Sequence, residues 1–302
     1  MASKQSEALK TLYTGWVERM GANPEMGLPE MRDLFEEWHL PTAEPEGVTY
    51  GEVDAGGVPS VWVTPIGCAT DRVIVFTHGG GYVVGSRHTH RKVAGHLALA
   101  AGCRALVIDY RLAPENPHPA PVEDAVKVYR WLLDQGIQAG HIATCGDSAG
   151  GGLCTSMVLK ARDEGLPLPA AIMPLSPWYD MEGKGASIDG NAATDALVKR
   201  EILMGMAATF LGPASPTDPL ANPLHANLSG LPPMLIQVGG DEALLDDSLR
   251  FAEQAKTAGV DVTVEVYPEM QHVFHFLAGR APEADEAVAK LGAFVKGHLG
   301  LN

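Results

Sequence analysis

From about Val48 onward, short runs of apolar and β-branched residues alternate with stretches of helical spacing. The central runs, such as RVIVFTH, RALVIDY and HIATCGD, are almost continuously apolar, which is typical of parallel strands covered on both faces. The stretches between them repeat apolar residues at helical intervals, and most of them stop at a glycine. The pattern predicts an α/β fold with a central, mostly parallel sheet of eight strands and helices on both faces.

Two segments fall outside this alternation. Residues 1–45 contain two amphipathic helical stretches with no strand between them, and we expect them to be N-terminal cap helices. Residues 46–302 would form the main domain, with a cap insertion at about 181–230 that holds a polar loop, an apolar helical stretch and a Pro-rich run. Together the two segments would form a helical cap over the carboxyl ends of the strands, where open α/β sheets place their sites.

The composition narrows the range of partners. The 302 residues carry a formal net charge of −15, which argues against nucleic acid and membrane surfaces because both need clustered Lys and Arg. The four cysteines form no CxxC pair and three lie in apolar runs, so we expect reduced core residues. The N-terminus lacks the apolar core of a signal peptide, and no apolar run of about 18 residues occurs, so we expect a cytoplasmic protein.

The sharpest motif is CGDSAGGG, which lies between an apolar strand and a helical stretch. This is the context of the nucleophile elbow Gly-x-Ser-x-Gly, here Gly146, Ser148 and Gly150. Such a tight turn needs residues without bulk on either side, and it exposes the serine hydroxyl in a strained backbone conformation. The alternative is a glycine-rich turn, or a phosphate loop, in which Ser148 only caps the helix.

A second glycine-rich stretch, THGGGY, directly follows the strand RVIVF. Acyl transfer through a serine develops a negative oxygen that needs preorganised donors, and successive glycines let backbone N–H groups approach it. We assign Gly79 and Gly80 to this oxyanion hole, together with Ala149, the residue after the nucleophile. The alternative is a glycine turn with a structural His78.

Eleven histidines compete for the role of the base. His272 and His275 lie in PEMQHVFHF after the last strand, in the chain order serine, acid, histidine of this architecture. His272 is favoured because it comes first and has apolar neighbours, and His275 is the alternative. His88 and His90 suggest a metal, yet no carboxylate or cysteine accompanies them at ligand spacing, so we expect a plain loop there and no metal site.

The acid belongs to the loop VGGDEALLDDS, which has four carboxylates after an apolar strand. Asp246 and Asp247 immediately precede a helical stretch, so they fit its N-cap and first turn. Asp241 and Glu242 remain as candidates. Residue type alone favours Asp241, because aspartate is the commoner acid in such triads.

The pairing of HGGGY with GDSAGG, joined by DYRLAPENPHPAPVEDA, resembles the hormone-sensitive-lipase-like family of bacterial esterases, also called family IV, from about Val48 to the C-terminus. The resemblance implies an α/β-hydrolase with a helical cap that cleaves short-chain esters through a Ser-His-acid triad and needs no cofactor. It supports Ser148 as nucleophile, His272 as base and the three assigned donors. Related esterases have Asp-Pro-Leu-x-Asp in the acid loop, and aligning Leu244 and Asp246 with this pattern places the acid at Glu242.

The resemblance also implies residues around the site. Five of them are expected to hold the loop and helix behind the elbow: Arg111, Pro114, Glu115, Glu123 and Asp124. The apolar cap stretch EILMGMAATFLG would close over an acyl chain of about two to eight carbons, although a Met-rich helix is also typical of a core. The candidate substrate-pocket residues are Tyr82, Met204, Met206 and Phe210.

These observations favour a serine carboxylic-ester hydrolase that acts on a small-molecule ester. A lactone hydrolase with the same triad is an alternative, since a cyclic ester needs only a pocket of different shape. A small-molecule receptor without catalysis is an alternative from another class, and the retained His272 argues against it. The last strand, DVTVEVY, is expected at a sheet edge, where it would allow two copies to pair as a homodimer.

Overall fold

The computed structural model of the chain describes residues 2–301. These residues form one eight-stranded sheet in the order β1-β2-β4-β3-β5-β6-β7-β8. The strands are β1 (Val48–Asp54), β2 (Pro59–Pro65), β3 (Ala69–Thr77), β4 (Cys103–Ile108), β5 (Ile142–Asp147), β6 (Ala171–Leu175), β7 (Met234–Gly239) and β8 (Val262–Tyr267). Strand β2 is antiparallel to both of its neighbours, and the other pairs are parallel. The predicted eight-stranded, mostly parallel sheet is confirmed.

Helices flank this sheet and precede it. The α-helices are α1 (Glu7–Ala22), α2 (Leu28–Phe35), α3 (Arg87–Ala101), α4 (Ala120–Asp134), α5 (Ala149–Asp163), α6 (Ser187–Gly190), α7 (Arg200–Leu211), α8 (Leu245–Thr257) and α9 (Pro282–His298). Short 3₁₀ helices lie at Lys4–Ser6, Glu36–His39, Ala139–His141, Pro223–His225 and Phe274–Leu277. Within residues 2–301, no helix combines the length and apolar character that crossing a membrane requires.

Two buried apolar clusters account for the core, one for each face of the sheet. Helices α4, α5 and α8 contribute to the first cluster, whereas α1, α2, α3 and α9 contribute to the second. Three cysteines, Cys103, Cys145 and Cys154, are buried in strands or helices, and all four cysteines are free thiols. The predicted use of cysteine as a core residue therefore agrees with the structure.

The N-terminal helices are fixed to the main domain by aromatic packing. The Trp16 ring centroid lies 5.1 Å from that of Phe35 and 5.4 Å from that of Trp38. Trp38 in turn stacks on Phe276, in the loop after β8, with ring centroids 5.8 Å apart. Such pairs add to the burial of apolar area, so this segment is packed against the end of the sheet rather than extended into solvent.

The strand order places the glycine-rich motifs side by side. Strand β3 lies between β4 and β5, so the direction in which the sheet grows reverses at β3. Parallel strands at such a switch point leave a crevice at their carboxyl ends. Thr77, at the end of β3, pairs with Gly146, near the end of β5, so the loops that follow both strands meet there.

Candidate active site

Ser148 occupies a strained turn between β5 and α5. Its backbone has φ 53° and ψ −122°, a conformation that residues with a side chain rarely adopt. A Cβ at Gly146 would overlap the Thr77 hydroxyl, and one at Gly150 would overlap the Thr77 carbonyl. Both positions therefore require glycine, as expected for a nucleophile elbow. The turn leaves the Ser148 side chain partly exposed at the N-terminus of α5.

His272 and Glu242 form a buried pair at the carboxyl ends of β7 and β8. His272 Nδ1–H donates to Glu242 Oε2 at 2.6 Å, and both side chains are almost fully buried. The second carboxylate oxygen, Oε1, accepts the Ser176 hydroxyl at 2.7 Å and the Gly239 N–H. The carboxylate is therefore satisfied on both oxygens, which fixes its orientation toward the imidazole.

Ser176 links the two loops that carry this pair. It directly follows β6 and has φ 43°, and its hydroxyl accepts the N–H of Val273 at 3.2 Å while it donates to Glu242. Ser176 is not among the site residues predicted from the sequence, although a polar residue directly after a buried parallel strand is a usable signal for a site at that edge of the sheet.

The environment of His272 sets its protonation. Burial alone favours the neutral imidazole, but the charge of Glu242 and the hydrogen bond to it outweigh burial. Asp195 and Asp147 add to the negative potential. The pKa of His272 is therefore raised above its ordinary value of 6.5.

Ser148 and His272 line one apolar cavity beneath the cap. His272 Nδ1 is bonded to Glu242, and within residues 2–301 no hydrogen bond joins the Ser148 hydroxyl to His272 Nε2. Free enzymes often show such looser geometry, which tightens when substrate binds. The N-terminal segment supplies Met20, Phe35 and Trp38 to the wall, and the insertion supplies Leu197, Val198, Ile202, Leu203 and Met206.

Only one of the four predicted substrate-pocket residues lines this cavity. Met206 lines the cavity, whereas Tyr82, Met204 and Phe210 are not among its lining residues. Tyr82 and Phe210 are fully buried and stack on each other with ring centroids 3.7 Å apart, so they belong to the core. Met204 lies beside Gly183 instead. Helical periodicity alone did not tell which face of α7 points at the nucleophile.

The glycine loop after β3 differs from the prediction in one of the N–H groups assigned to the oxyanion hole. The Gly79 N–H lies 3.1 Å from Asp147 Oδ1 and 3.2 Å from His90 Nε2, so it is already bonded within the protein. Gly79 therefore does not fit the predicted role of oxyanion donor. Gly80 and Gly81 line the cavity with Ser148. Over residues 2–301, the N–H groups of Gly80, Gly81 and Ala149 make no hydrogen bond to the protein.

His90 is not in the plain loop that we expected. His88 and His90 lie in the first turn of α3, and His90 is fully buried with Nε2 at 3.2 Å from Asp147 Oδ2. Its Nδ1 lies 2.6 Å from the Thr89 hydroxyl. The Gly79 N–H lies within hydrogen-bond distance of His90 and Asp147, so these two side chains support the glycine loop. Within residues 2–301, no group of three or more His, Cys, Asp or Glu side chains is arranged to hold a metal ion.

The competing carboxylates and histidine have other partners. Asp246 and Asp247 do lie in the first turn of α8, but their side chains do not cap this helix. Asp246 accepts the N–H of Ser187 in the insertion, and Asp247 accepts the N–H groups of Tyr179 and Asp180, which directly precede the insertion. Burial raises the pKa of Asp247 to about 7. Asp241 lines a surface groove with Lys10 and is not among the residues that line the cavity with His272. His275 bonds Gln237 at 2.9 Å, and burial lowers its pKa to about 3.

Three of the five residues expected behind the elbow contact one another, whereas the other two face the N-terminal segment. Arg111 binds Asp124 at 2.8 Å and Glu123 at 3.4 Å, which ties the loop after β4 to α4. Glu115 instead pairs with Arg32 of α2 at 2.7 Å. Pro114 lines an apolar groove next to the cavity that Ser148 and His272 line. The loop after β4 therefore anchors an N-terminal helix as well as the main domain.

Known proteins share this fold and sequence. Residues 74–276 match the sequence model of a protein family whose description is 'alpha/beta hydrolase fold'. An acetyl-hydrolase of Streptomyces hygroscopicus is 40% identical over 296 residues, covering 92% of this chain and 98% of the relative. The crystal structure of an esterase from the bacterial hormone-sensitive lipase family has a TM-score of 0.95 at 43% identity, covering 99% of this chain and 100% of that chain. The chain belongs to this esterase family.

A second solved structure extends the comparison. EstE5, in crystals soaked with p-nitrophenyl butyrate, has a TM-score of 0.93 at 40% identity and covers 99% of this chain and 100% of that chain. Membership of the hormone-sensitive-lipase-like esterases confirms the predicted α/β-hydrolase fold and the predicted class, a carboxylic ester hydrolase. Acyl transfer by a serine hydrolase requires a nucleophile, a base and preorganised donors for the oxyanion.

Proposed function

We propose that this esterase hydrolyses short-chain acyl esters through Ser148, His272 and Glu242. One observation carries the proposal: the strained Ser148 opens into the same cavity as His272, whose Nδ1–H is bonded to Glu242 at 2.6 Å. The strained turn holds the nucleophile in place before substrate arrives. The buried carboxylate holds the imidazole with Nε2 directed at the cavity.

The reaction takes place in two halves. In the first, Ser148 Oγ attacks the ester carbonyl while His272 Nε2 takes its proton, and a tetrahedral intermediate forms. The intermediate collapses as His272 returns the proton to the leaving alkoxide, which leaves the acyl group on Ser148. In the second half, His272 takes a proton from water while the water oxygen attacks the acyl carbonyl, and a second tetrahedral intermediate forms. This intermediate collapses as His272 returns the proton to Ser148 Oγ, which releases the acid and restores the serine.

The oxyanion of both intermediates is proposed to lie against the N–H groups of Gly80, Gly81 and Ala149. All three are free of protein partners within residues 2–301, and Gly80 and Gly81 line the cavity beside Ser148. Ala149 is the first residue of α5, so its N–H is unsatisfied in the helix and lies at the positive end of the helix dipole. Preorganised donors of this kind commonly contribute about 3 to 4 kcal/mol each.

Glu242 is proposed to act on orientation and charge rather than by taking a proton. Its carboxylate selects the imidazole tautomer with the hydrogen on Nδ1, and it stabilises the imidazolium that forms after attack. A glutamate serves this role here because Ser176 and Gly239 hold its second oxygen.

A preference for short acyl chains follows from the walls of the cavity. Its lining is almost wholly apolar, and residues from both cap segments enclose the space beside Ser148. Each buried CH₂ of the acyl chain helps by up to about 0.8 kcal/mol until the space is full. EstE5, which resembles this chain, was soaked with a four-carbon acyl ester, p-nitrophenyl butyrate, in the crystal. We expect the best substrates to have acyl chains of about two to eight carbons.

Replacement of the nucleophile tests the proposal. Ser148→Ala should abolish hydrolysis of p-nitrophenyl butyrate and labelling by a fluorophosphonate probe, with the circular dichroism spectrum unchanged. Ser156→Ala is the matched control, because Ser156 is buried one turn or more further along α5 and away from the cavity. Retained turnover in a folded Ser148→Ala protein would refute the proposed nucleophile.

A further inference from the structure

A short segment of the cap insertion, Asn191–Ala196, contacts the loop that carries Glu242. The Asn191 side-chain amide donates to the carbonyls of Gly240 at 3.1 Å and Glu242 at 2.9 Å. The Thr194 hydroxyl donates to the Asp241 carbonyl at 2.9 Å. The Ala243 N–H donates to Asp195 Oδ2 at 2.7 Å, so consecutive residues on both sides of the acid are bonded to the insertion.

The same segment also contacts the loop that carries His272. Gln271, the residue before the base, accepts the Ala196 N–H at 2.8 Å and donates to the Thr194 carbonyl at 2.9 Å. Gln271 is 4% exposed, so water does not compete well for these bonds. Four residues of this segment, Asn191, Thr194, Asp195 and Ala196, therefore bridge the loops after β7 and β8.

Asp195 is the centre of this bridge. It is fully buried, and its Oδ1 accepts the N–H groups of Leu197 at 2.8 Å and Val198 at 2.7 Å, while Oδ2 accepts that of Ala243. Leu197 and Val198 line the catalytic cavity. One carboxylate thus joins the cavity wall to the residue that follows the triad acid. Burial of a carboxylate costs free energy unless hydrogen bonds satisfy its oxygens, as the three N–H groups do here.

We propose that the segment Asn191–Ala196, which we name the brace, holds the acid loop and the base loop in register, with Asp195 as its positioning residue. The inference rests on the proposed triad. A hydrogen-bonded acid and base tolerate little misplacement, because a shift on the order of 1 Å in the catalytic groups costs about a hundredfold in rate. The insertion therefore does more than cover the substrate: it orients the groups that act on it.

The brace also has an electrostatic consequence for the base. The groups that face His272 are Glu242 from the loop after β7, Asp195 from the brace, Asp147 from the end of β5 and His275 from its own loop. The Asp195 charge favours the imidazolium, so it adds to the raised pKa of His272. A residue that served only to keep the cap folded would not move the pH at which activity is lost.

The first test compares Asp195→Asn with Asp189→Asn. Asparagine keeps the shape of Asp195 but removes its charge and one N–H acceptor, so kcat should fall about tenfold or more and the acid limb of kcat/KM should move to lower pH. Asp189 lies in the same insertion, and its exposed carboxylate pairs with Arg200. Asp189→Asn should keep kcat within about twofold and leave the pH profile in place.

The second test asks whether Asp195 acts through the triad. Residues that act as a unit lose little more when a second member is removed, so Asp195→Asn should lower kcat by less than about threefold in a Glu242→Gln background. An undiminished effect there would assign Asp195 to cap stability and overturn the proposal. A folded Asp195→Asn protein with normal kcat and pH profile would overturn it as well.

A milder variant keeps the proposal testable if Asp195→Asn does not fold. Asn191→Ala removes two bonds to the acid loop at a partly exposed position, and it should show the same pattern with a kcat loss of about threefold or more. Wild-type kcat in this variant would refute the brace. If the triad itself is wrong, Glu242→Gln stays fully active; if only the brace is wrong, Glu242→Gln is impaired while the brace variants are not.

Discussion

The Tyr13 hydroxyl, on the first N-terminal helix, donates a hydrogen bond of 3.0 Å to the backbone carbonyl of His272. Tyr13 is fully buried, and its oxygen also accepts the Trp38 indole N–H at 3.4 Å. The N-terminal segment therefore contacts the proposed base directly, whereas the sequence predicted only that this segment covers the site.

Removal of this hydroxyl is the first prediction. Tyr13→Phe leaves the ring in place but leaves the buried His272 carbonyl without this donor, which should cost about 1 to 3 kcal/mol in the free energy of unfolding. Because the lost bond lies at the base, kcat/KM should also fall about threefold to tenfold, measured with p-nitrophenyl butyrate. Tyr50→Phe is the control, since the Tyr50 hydroxyl bonds Glu44 far from the cavity. Equal effects of the two substitutions on kcat/KM would contradict the role of Tyr13.

The second prediction separates the two candidate acids. Glu242→Gln should lower kcat by a factor of about 10³ to 10⁴, because a neutral amide no longer stabilises the imidazolium or selects its tautomer. Asp241→Asn should cost at most about tenfold, since its side chain lines a surface groove with Lys10. Both variants are to be compared by steady-state kinetics after equal thermal unfolding curves are confirmed. The reverse ranking would transfer the role to Asp241.

The pH dependence of turnover is the third prediction. His272 accepts a proton only as neutral imidazole, and its pKa is raised above 6.5 by Glu242 against the effect of burial. As the pH falls through this raised pKa, the imidazole becomes protonated, so kcat/KM should already be half lost above pH 6.5. Glu242→Gln removes the charge that raises the pKa, so its acid limb should lie at lower pH. A wild-type limb below pH 6.5 with the protein still folded would contradict this assignment.

The elements that sequence could predict are those in which local pattern and fold agree. Runs of apolar and β-branched residues predicted all eight strands. The central runs are almost continuously apolar, because parallel strands covered on both faces leave little choice of residue. Glycine on both sides of Ser148 predicted the elbow, because the positions of Gly146 and Gly150 have no room for a Cβ. The base and acid loops followed from chain order, which the strand topology imposes.

What sequence could not predict depends on contacts between distant residues. The partner of the Gly79 N–H is Asp147, 68 residues away, and nothing in the HGGG stretch indicates it. Likewise, the sequence around Asp195 is that of an ordinary polar loop, and its hydrogen bond to the Ala243 N–H becomes apparent only in the folded structure. The choice among Met204, Met206 and Phe210 depends on the rotation of one helix, which a Met-rich pattern does not define.

The last prediction uses that rotation. Met204 and Met206 lie on the same helix, α7, and both are partly exposed, but only Met206 lines the catalytic cavity. Met206→Ala should enlarge the acyl space, so the chain length of fastest turnover should increase by about two carbons, with each newly buried CH₂ worth up to about fourfold in kcat/KM. Met204→Ala should leave the chain-length profile unchanged, although it too removes a partly buried side chain and should lower the free energy of unfolding. The measurement is kcat/KM for p-nitrophenyl esters with acyl chains of about two to twelve carbons. If both substitutions shift the profile equally, the cavity beside Met206 is not the acyl site; if neither does, the acyl chain lies elsewhere in the cavity.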